Sequence, residues 1–148
     1  MKKLFHLLPI LISTATVADS AAPPALTEWI KINGIADTSF EKYIDTKAIR
    51  QTGPMNTMRR VWEISNLTKI ASNKVLSIKR YMEYDCKDRR IRVLEESGFS
   101  EHWAQGATLT TTALDAKSGK WNDITDGSAV DIVFKRVCPS DESDTTTN

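Results

Sequence analysis

The chain has 148 residues, with 20 lysines and arginines against 19 aspartates and glutamates, for a formal net charge of +1. This balance argues against a nucleic-acid-binding protein, because such proteins bind phosphates through a strongly basic surface. The length predicts one domain. No apolar run reaches the roughly 20 residues that a membrane-spanning helix needs, so the sequence predicts no transmembrane segment.

The first 22 residues have the three parts of a secretory signal peptide. Lys2 and Lys3 form a basic start, an apolar run of about ten residues follows, and small residues predict cleavage after Ala18 or Ala22. Cleavage after Ala22 takes the lysines and arginines from 20 to 18 and the acids from 19 to 18, leaving no formal net charge. No cysteine lies in this segment to accept a lipid. We therefore expect an exported protein, periplasmic or secreted, whose display on the cell surface is an open question.

Short β-rich runs separated by turn residues follow, which favours an antiparallel sheet of about six strands. The predicted strands cover residues 27–33, 43–45, 58–65, 75–86, 91–97 and 107–112. Within 75–86, alternation places Ile78, Met82, Tyr84 and Cys86 on one apolar face. The polar connection 87–90 predicts a hairpin between the fourth and fifth strands.

The third run, 58–65, has apolar residues on both of its faces. Trp62 and Ile64 share one face, and Val61 lies on the other. We expect Trp62 to lie in the core.

A helix is predicted near the C-terminus, because four apolar residues recur at helical spacing. They are Val130, Val133, Phe134 and Val137. Ser128 and Asp131 resemble a capping box, Pro139 ends the helix, and the polar tail 140–148 is predicted to be disordered. The fold class is thus α+β, mainly β, with one C-terminal helix.

Cys86 and Cys138 are the two cysteines of the chain, and an even number of cysteines in a small exported domain predicts a disulfide. Both side chains point inward by the periodicities of their own elements. The bond would close a loop of about 52 residues and contribute about 4 kcal/mol in the chain-entropy model. No Cys-x-x-Cys pair supports a redox role instead.

The residues offer little for catalysis or metal binding. The predicted mature chain has one histidine, His102, in a polar stretch, which argues against most metal and nucleophile–base sites. The acidic stretch 123–128 lacks the full pattern of a calcium loop and is better explained as a turn followed by a helix cap. We therefore predict a non-enzymatic protein with no metal and no cofactor.

Two features are candidates for binding a partner. A basic cluster at the predicted hairpin turn, with Lys79 and Arg80 expected across the hairpin, suits an acidic protein surface or a sulfated glycan. Its residues are Lys87, Arg89, Arg90 and Arg92. The alternative is a solvated turn in which Asp85 and Asp88 balance these charges. Trp103, in the least patterned region, is a candidate exposed aromatic anchor.

Several short motifs occur in an order that resembles the bacterial surface-adhesin E family. They are Trp29-Ile, Tyr43-Ile-Asp45, Val61-Trp-Glu63, Glu83-Tyr-Asp-Cys86, Arg90-Ile-Arg92, 121–128 and Val137-Cys138. The resemblance spans Trp29 to Cys138 and implies a six-stranded sheet with a disulfide-tethered helix. It also implies binding of host proteins such as vitronectin, laminin and plasminogen, and dimerisation. The missing lipid-accepting cysteine departs from the lipoprotein for which the family is named.

Two functional hypotheses follow for the predicted domain, residues 23–139. One is an adhesin-like protein that binds host matrix or plasma proteins. The alternative is a periplasmic, envelope-associated binding or inhibitor module with no adhesive role, because fold similarity is a weak guide to a shared partner.

Overall fold

The computed structural model describes residues 27–113 and 119–139. The predicted signal peptide (1–22) and the predicted disordered tail (140–148) lie outside the described residues. Within the described ranges, no helix is long and apolar enough to cross a bilayer.

The described residues form eight strands and one α-helix. The strands are β1 (Trp29–Lys31), β2 (Phe40–Asp45), β3 (Arg50–Thr52), β4 (Met58–Leu67), β5 (Ser77–Asp85), β6 (Arg90–Phe99), β7 (Thr108–Ala113) and β8 (Asn122–Asp123), and the helix is α1 (Ala129–Val137). The main sheet has the order β1-β2-β4-β5-β6-β7, while β3 pairs with β4 and β8 pairs with β6. All of these pairs are antiparallel. The predicted fold class is therefore confirmed.

The central hairpin joins β5 to β6, as the alternation of 75–86 predicted. Asp85 pairs with Arg90 next to the turn, and Ser77 pairs with Phe99 at the other end. Lys79 and Arg80 pair with residues 97 and 96, so they lie far from the turn and away from the basic cluster. The expectation that they face the cluster across the hairpin is wrong, because the two residues lie six and five positions before Asp85, where β5 meets the turn, and their partners in β6 are similarly far from the turn.

One face of the sheet packs against α1 and forms the core. The helix contributes Val133, Phe134 and Val137, and the central strands contribute Val61, Met82, Tyr84 and Ile91. The helix starts where Ser128 Oγ accepts a hydrogen bond from the backbone N–H of Asp131 at 3.1 Å, which satisfies a donor that the first turn leaves unpaired. Cys86 and Cys138 form the predicted disulfide, with their Cα atoms 5.5 Å apart.

Trp62 lies outside this core, so its predicted place there is wrong. Val61 is fully buried under the helix, and alternation along β4 places Trp62 on the opposite face. There its ring stacks on Tyr81 with the centroids 4.7 Å apart, and Lys79 Nζ lies 4.5 Å from its centroid. The sequence pattern could not separate the two faces because both carry apolar residues.

Candidate partner-binding surface

The basic cluster lies where the β5–β6 turn meets the start of the helix. Arg89 in the turn forms ion pairs with Asp126 at 2.6 Å and with Asp131 at 3.0 Å. Its guanidinium carbon also lies 5.0 Å from the centroid of the Phe134 ring, within the range of a cation–π contact. Arg89 thus joins the hairpin turn to the N-terminal turn of α1.

Arg90 is engaged with Asp85, the last residue of β5, and with Asp88, which lies within the turn. Its Nη2 donates to Asp85 at 2.9 Å and to Asp88 at 3.0 Å. The hydrogen bond to Asp85 raises the pKa of Arg90 above its ordinary value. Burial raises the pKa of Asp85, but hydrogen bonds from Arg90 and from the turn backbone outweigh it and lower that pKa below its ordinary value. This pairing matches the alternative of a charge-balanced turn.

Arg92 takes part in a buried charge network on the face opposite the helix. Its Nε donates to Glu83 Oε2 at 2.6 Å, and Arg60 Nε donates to the other carboxylate oxygen at 2.7 Å. Glu83 is 1% exposed, so two arginines neutralise a carboxylate that has almost no access to water. Trp121 packs beside this network, its ring 4.4 Å from Arg92.

Lys87 differs from the three arginines. Its side chain is exposed and makes no ion pair or hydrogen bond within the described residues. Three of the four cluster residues therefore stabilise the fold around the turn, and Lys87 offers its charge to solvent.

Trp103 lies at the other end of the sheet. It is 44% exposed, its backbone N–H donates to Asn66 Oδ1 at 2.9 Å, and its ring packs on Tyr43 at 4.4 Å. Asn66 is eight residues along β4 from Met58, which pairs with Asp85 beside the basic cluster. At about 3.3 Å per residue the two candidate features are about 26 Å apart. The structure does not bring them into one site.

A cleft beside the disulfide is a feature that the sequence pattern missed. Its volume is about 610 Å³, and it lies between the 53–57 loop and the end of α1. Arg59, Lys87 and Arg89 line it together with Phe134, and none of its lining residues is acidic. Met55 also lines this cleft and is 87% exposed. The sequence pattern did not predict this cleft because its three cationic residues come from two separate segments, β4 and the hairpin turn.

In the part of the chain that the structure describes, no group of three or more histidines, cysteines or acids is arranged to hold a metal ion.

The sequence model of the family described as surface-adhesin protein E matches residues 29–139. No curated protein sequence matches the chain. Among solved structures, crystal form II of Haemophilus influenzae protein E is similar, with a TM-score of 0.55 and 16% identity over 82% of this chain and 96% of that one. The selenomethionine form has a TM-score of 0.56 and 15% identity over 80% and 92% of the two chains. At such low identity, these structures show a shared fold.

Proposed function

Because this chain belongs to the surface-adhesin protein E family, we propose that it is an exported, non-catalytic binding protein that attaches to host matrix or plasma proteins. The observation that carries the proposal is the family match over 29–139, which includes the whole sheet, α1 and both cysteines of the disulfide. The proposed ligands are vitronectin, laminin and plasminogen, which the family resemblance implies. Export by the signal peptide at 1–22 is part of the proposal.

The exposed candidates for contacting a partner are Lys87 and Trp103. Lys87 presents a charge that no described acid neutralises, and Trp103 presents a large aromatic ring to solvent. Tryptophan is enriched at protein interfaces, whereas lysine is depleted there, so Lys87 is a candidate only because its exposed charge can pair with an acidic partner. Arg89, Arg90 and Arg92 belong to the proposed surface too, although their guanidinium groups also make the internal contacts described above.

The test measures binding of the purified mature chain to immobilised vitronectin, laminin and plasminogen. We expect saturable binding to at least one of them with a micromolar or lower Kd, about 8 kcal/mol or more of binding free energy. Lys87→Gln and Trp103→Ala are the variants that distinguish the two exposed features. Binding no stronger than to an albumin-coated surface would contradict the proposal.

The second candidate function is a periplasmic, envelope-associated binding or inhibitor module. One observation favours it: Cys86 and Cys138 are joined to each other, and a cysteine in a disulfide does not carry a lipid anchor. Protease treatment of intact cells, followed by fractionation, separates the two functions. Loss of the protein on treatment supports the adhesin, whereas protection until the outer membrane is opened supports the periplasmic module.

Sedimentation of the mature chain in the same buffers tests the implied dimerisation.

A further inference from the structure

The cleft beside the disulfide combines an apolar floor with a cationic rim. Phe134, Pro139 and the Cys86–Cys138 disulfide form the floor. Phe134 is 6% exposed and Cys138 is 9% exposed, so the floor is the outer surface of the core. Ligand sites commonly combine such a surface with a few polar groups that orient the ligand.

The charges around the cleft are not balanced by its own lining. Arg59 Nη1 donates to the backbone carbonyls of Asn56 and Met58, the latter at 3.1 Å. Neither Arg59 nor Lys87 makes an ion pair within the described residues. Arg89 also lines the cleft, although Asp126 and Asp131 share its charge. The rim therefore has two cations that lack a carboxylate partner, and it complements an acidic ligand.

Met55 adds an exposed apolar group at the edge of the cleft. The residue is 87% exposed, and its backbone adopts the left-handed region with φ 52°, followed by Asn56 with φ 57°. Methionine in this region is uncommon and costs conformational energy, which is often associated with functional loops. A flexible thioether in this position is suited to contact an apolar side chain of a ligand.

We propose that this cleft binds an acidic peptide segment of a partner protein, with one apolar side chain of that segment packed between Met55 and Phe134. The carboxylates of the segment pair with Arg59 and Lys87 on the rim. The proposal rests on the proposed function as a protein-binding module, and it names the chemistry of the partner. Charge complementarity selects this occupant, because the lining supplies cations and no acid.

The experiment measures fluorescence anisotropy of a labelled peptide, Glu-Glu-Leu-Phe-Glu-Glu, titrated with the mature chain. A peptide with glutamines in place of the glutamates is the control for charge. We expect the acidic peptide to bind about tenfold more tightly than the glutamine peptide, and its affinity to fall with added salt, because the rim contacts are charged. Equal affinity for the two peptides would overturn the proposal.

Matched variants locate the site. Lys87→Glu is expected to weaken binding of the acidic peptide by about tenfold. Lys69 is an exposed lysine outside the cleft, so Lys69→Glu makes the same change of charge at a control position. We expect Lys69→Glu to alter the affinity less than about twofold. Met55→Asn keeps a residue that tolerates the left-handed backbone and removes the apolar group, so it should also weaken binding. Equal losses in the two lysine variants would show a general effect of charge and overturn the proposal.

Two further measurements exclude other occupants. A chain that ends at Pro139 lacks the acids Asp141, Glu142 and Asp144 of the tail. If it binds the peptide more than tenfold more tightly than the full mature chain, the tail itself occupies the cleft and the proposal is overturned. If the mature chain forms a dimer and Lys87→Glu dissociates it, a second copy of the chain occupies the cleft, and the proposal is likewise overturned.

The outcomes for the cleft and for the proposed function are separate. If the mature chain binds a host protein and Lys87→Glu leaves both that binding and peptide binding intact, the cleft assignment fails and the adhesive function stands. If the acidic peptide binds in the cleft and no host protein binds, the cleft assignment stands and the adhesive function fails.

Discussion

Lys42 Nζ lies 2.7 Å from Glu63 Oε2, and the two side chains are 8% and 2% exposed. The hydroxyl of Tyr84 donates to the other carboxylate oxygen of Glu63. Burial, with the nearby Glu63 carboxylate, raises the pKa of Tyr84 well above its ordinary value. The domain therefore contains an ion pair inside the sheet, with both carboxylate oxygens hydrogen-bonded.

Replacing Lys42 by methionine is expected to lower the free energy of unfolding by about 3–5 kcal/mol, because the Glu63 carboxylate would remain buried without its partner. Urea unfolding followed by circular dichroism measures the change. The double variant Lys42→Met with Glu63→Gln should recover part of this loss, since it leaves no unpaired charge in the core.

The pair Lys31–Glu41 is a matched control. Lys31 Nζ lies 2.5 Å from Glu41 Oε1, and the two side chains are 48% and 46% exposed. An exposed ion pair contributes at most about 1 kcal/mol to the stability of a protein. Lys31→Met should therefore change the unfolding free energy much less than Lys42→Met does. A similar loss in the two lysine variants would show that burial is not what makes Lys42 important.

The disulfide is expected to stabilise the domain by restricting the unfolded chain. The bonded residues are 52 apart in sequence, and the chain-entropy model gives about 4 kcal/mol for a loop of this length. The double variant Cys86→Ala with Cys138→Ala should lose this amount in urea unfolding. Reductant should destabilise the wild type equally and leave the double variant unchanged. A double variant as stable as the oxidised wild type would contradict this account.

Asp131 is expected to make the domain sensitive to acid. A hydrogen bond from Lys135 Nζ at 2.8 Å and one from the Gly127 backbone N–H at 3.0 Å, with a smaller effect of Arg89, lower the pKa of Asp131 from 3.8 to about 2. Because the folded value is the lower one, the stabilisation is present above about pH 4 and is lost as the pH falls towards about 2.

Urea midpoints measured from pH 6 to pH 2 test this sensitivity. Asp131→Asn should be less stable than the wild type at pH 6 and should lose less stability below pH 4. Asp126→Asn is the control, because Asp126 also pairs with Arg89 but its side chain is 92% exposed. If Asp126→Asn and Asp131→Asn flatten the pH profile to the same extent, Asp131 does not have the role assigned to it.

Arg92 and Lys87 should respond differently to the same substitution. Arg92→Gln removes one of two arginines from the buried Glu83 carboxylate, and we expect a loss of about 1–3 kcal/mol in unfolding free energy. The fluorescence of Trp121 should change as well, since its ring contacts Arg92. Lys87→Gln should change stability by less than about 0.5 kcal/mol. Equal stability of the two variants would mean that Arg92 is not a structural residue.

Local patterns were sufficient for the elements that depend on their own residues. The apolar spacing of α1 and the cap at Ser128 predicted the helix, and the alternation in 75–86 predicted the central hairpin. The disulfide followed from two cysteines in a chain with a predicted export signal. Each of these signals is contained in a short segment, which is why sequence reasoning found it.

Two strands were missed because they have little pattern of their own. β3 consists of Arg50, Gln51 and Thr52, and it pairs with β4. β8 has two residues and pairs with the start of β6. Neither has apolar alternation, so their conformation comes from the neighbouring strand and its free backbone groups.

The sequence by itself determined the order of the main elements, the helix, the hairpin and the disulfide. The tertiary structure decided which charges are buried and which face solvent. Glu63 meets Lys42 across 21 residues of chain, and Arg59 reaches the cleft beside Lys87 from a different strand. Such pairings depend on strand register and on the layer that covers each face, because a side chain's local neighbours in sequence do not specify its distant neighbours in space.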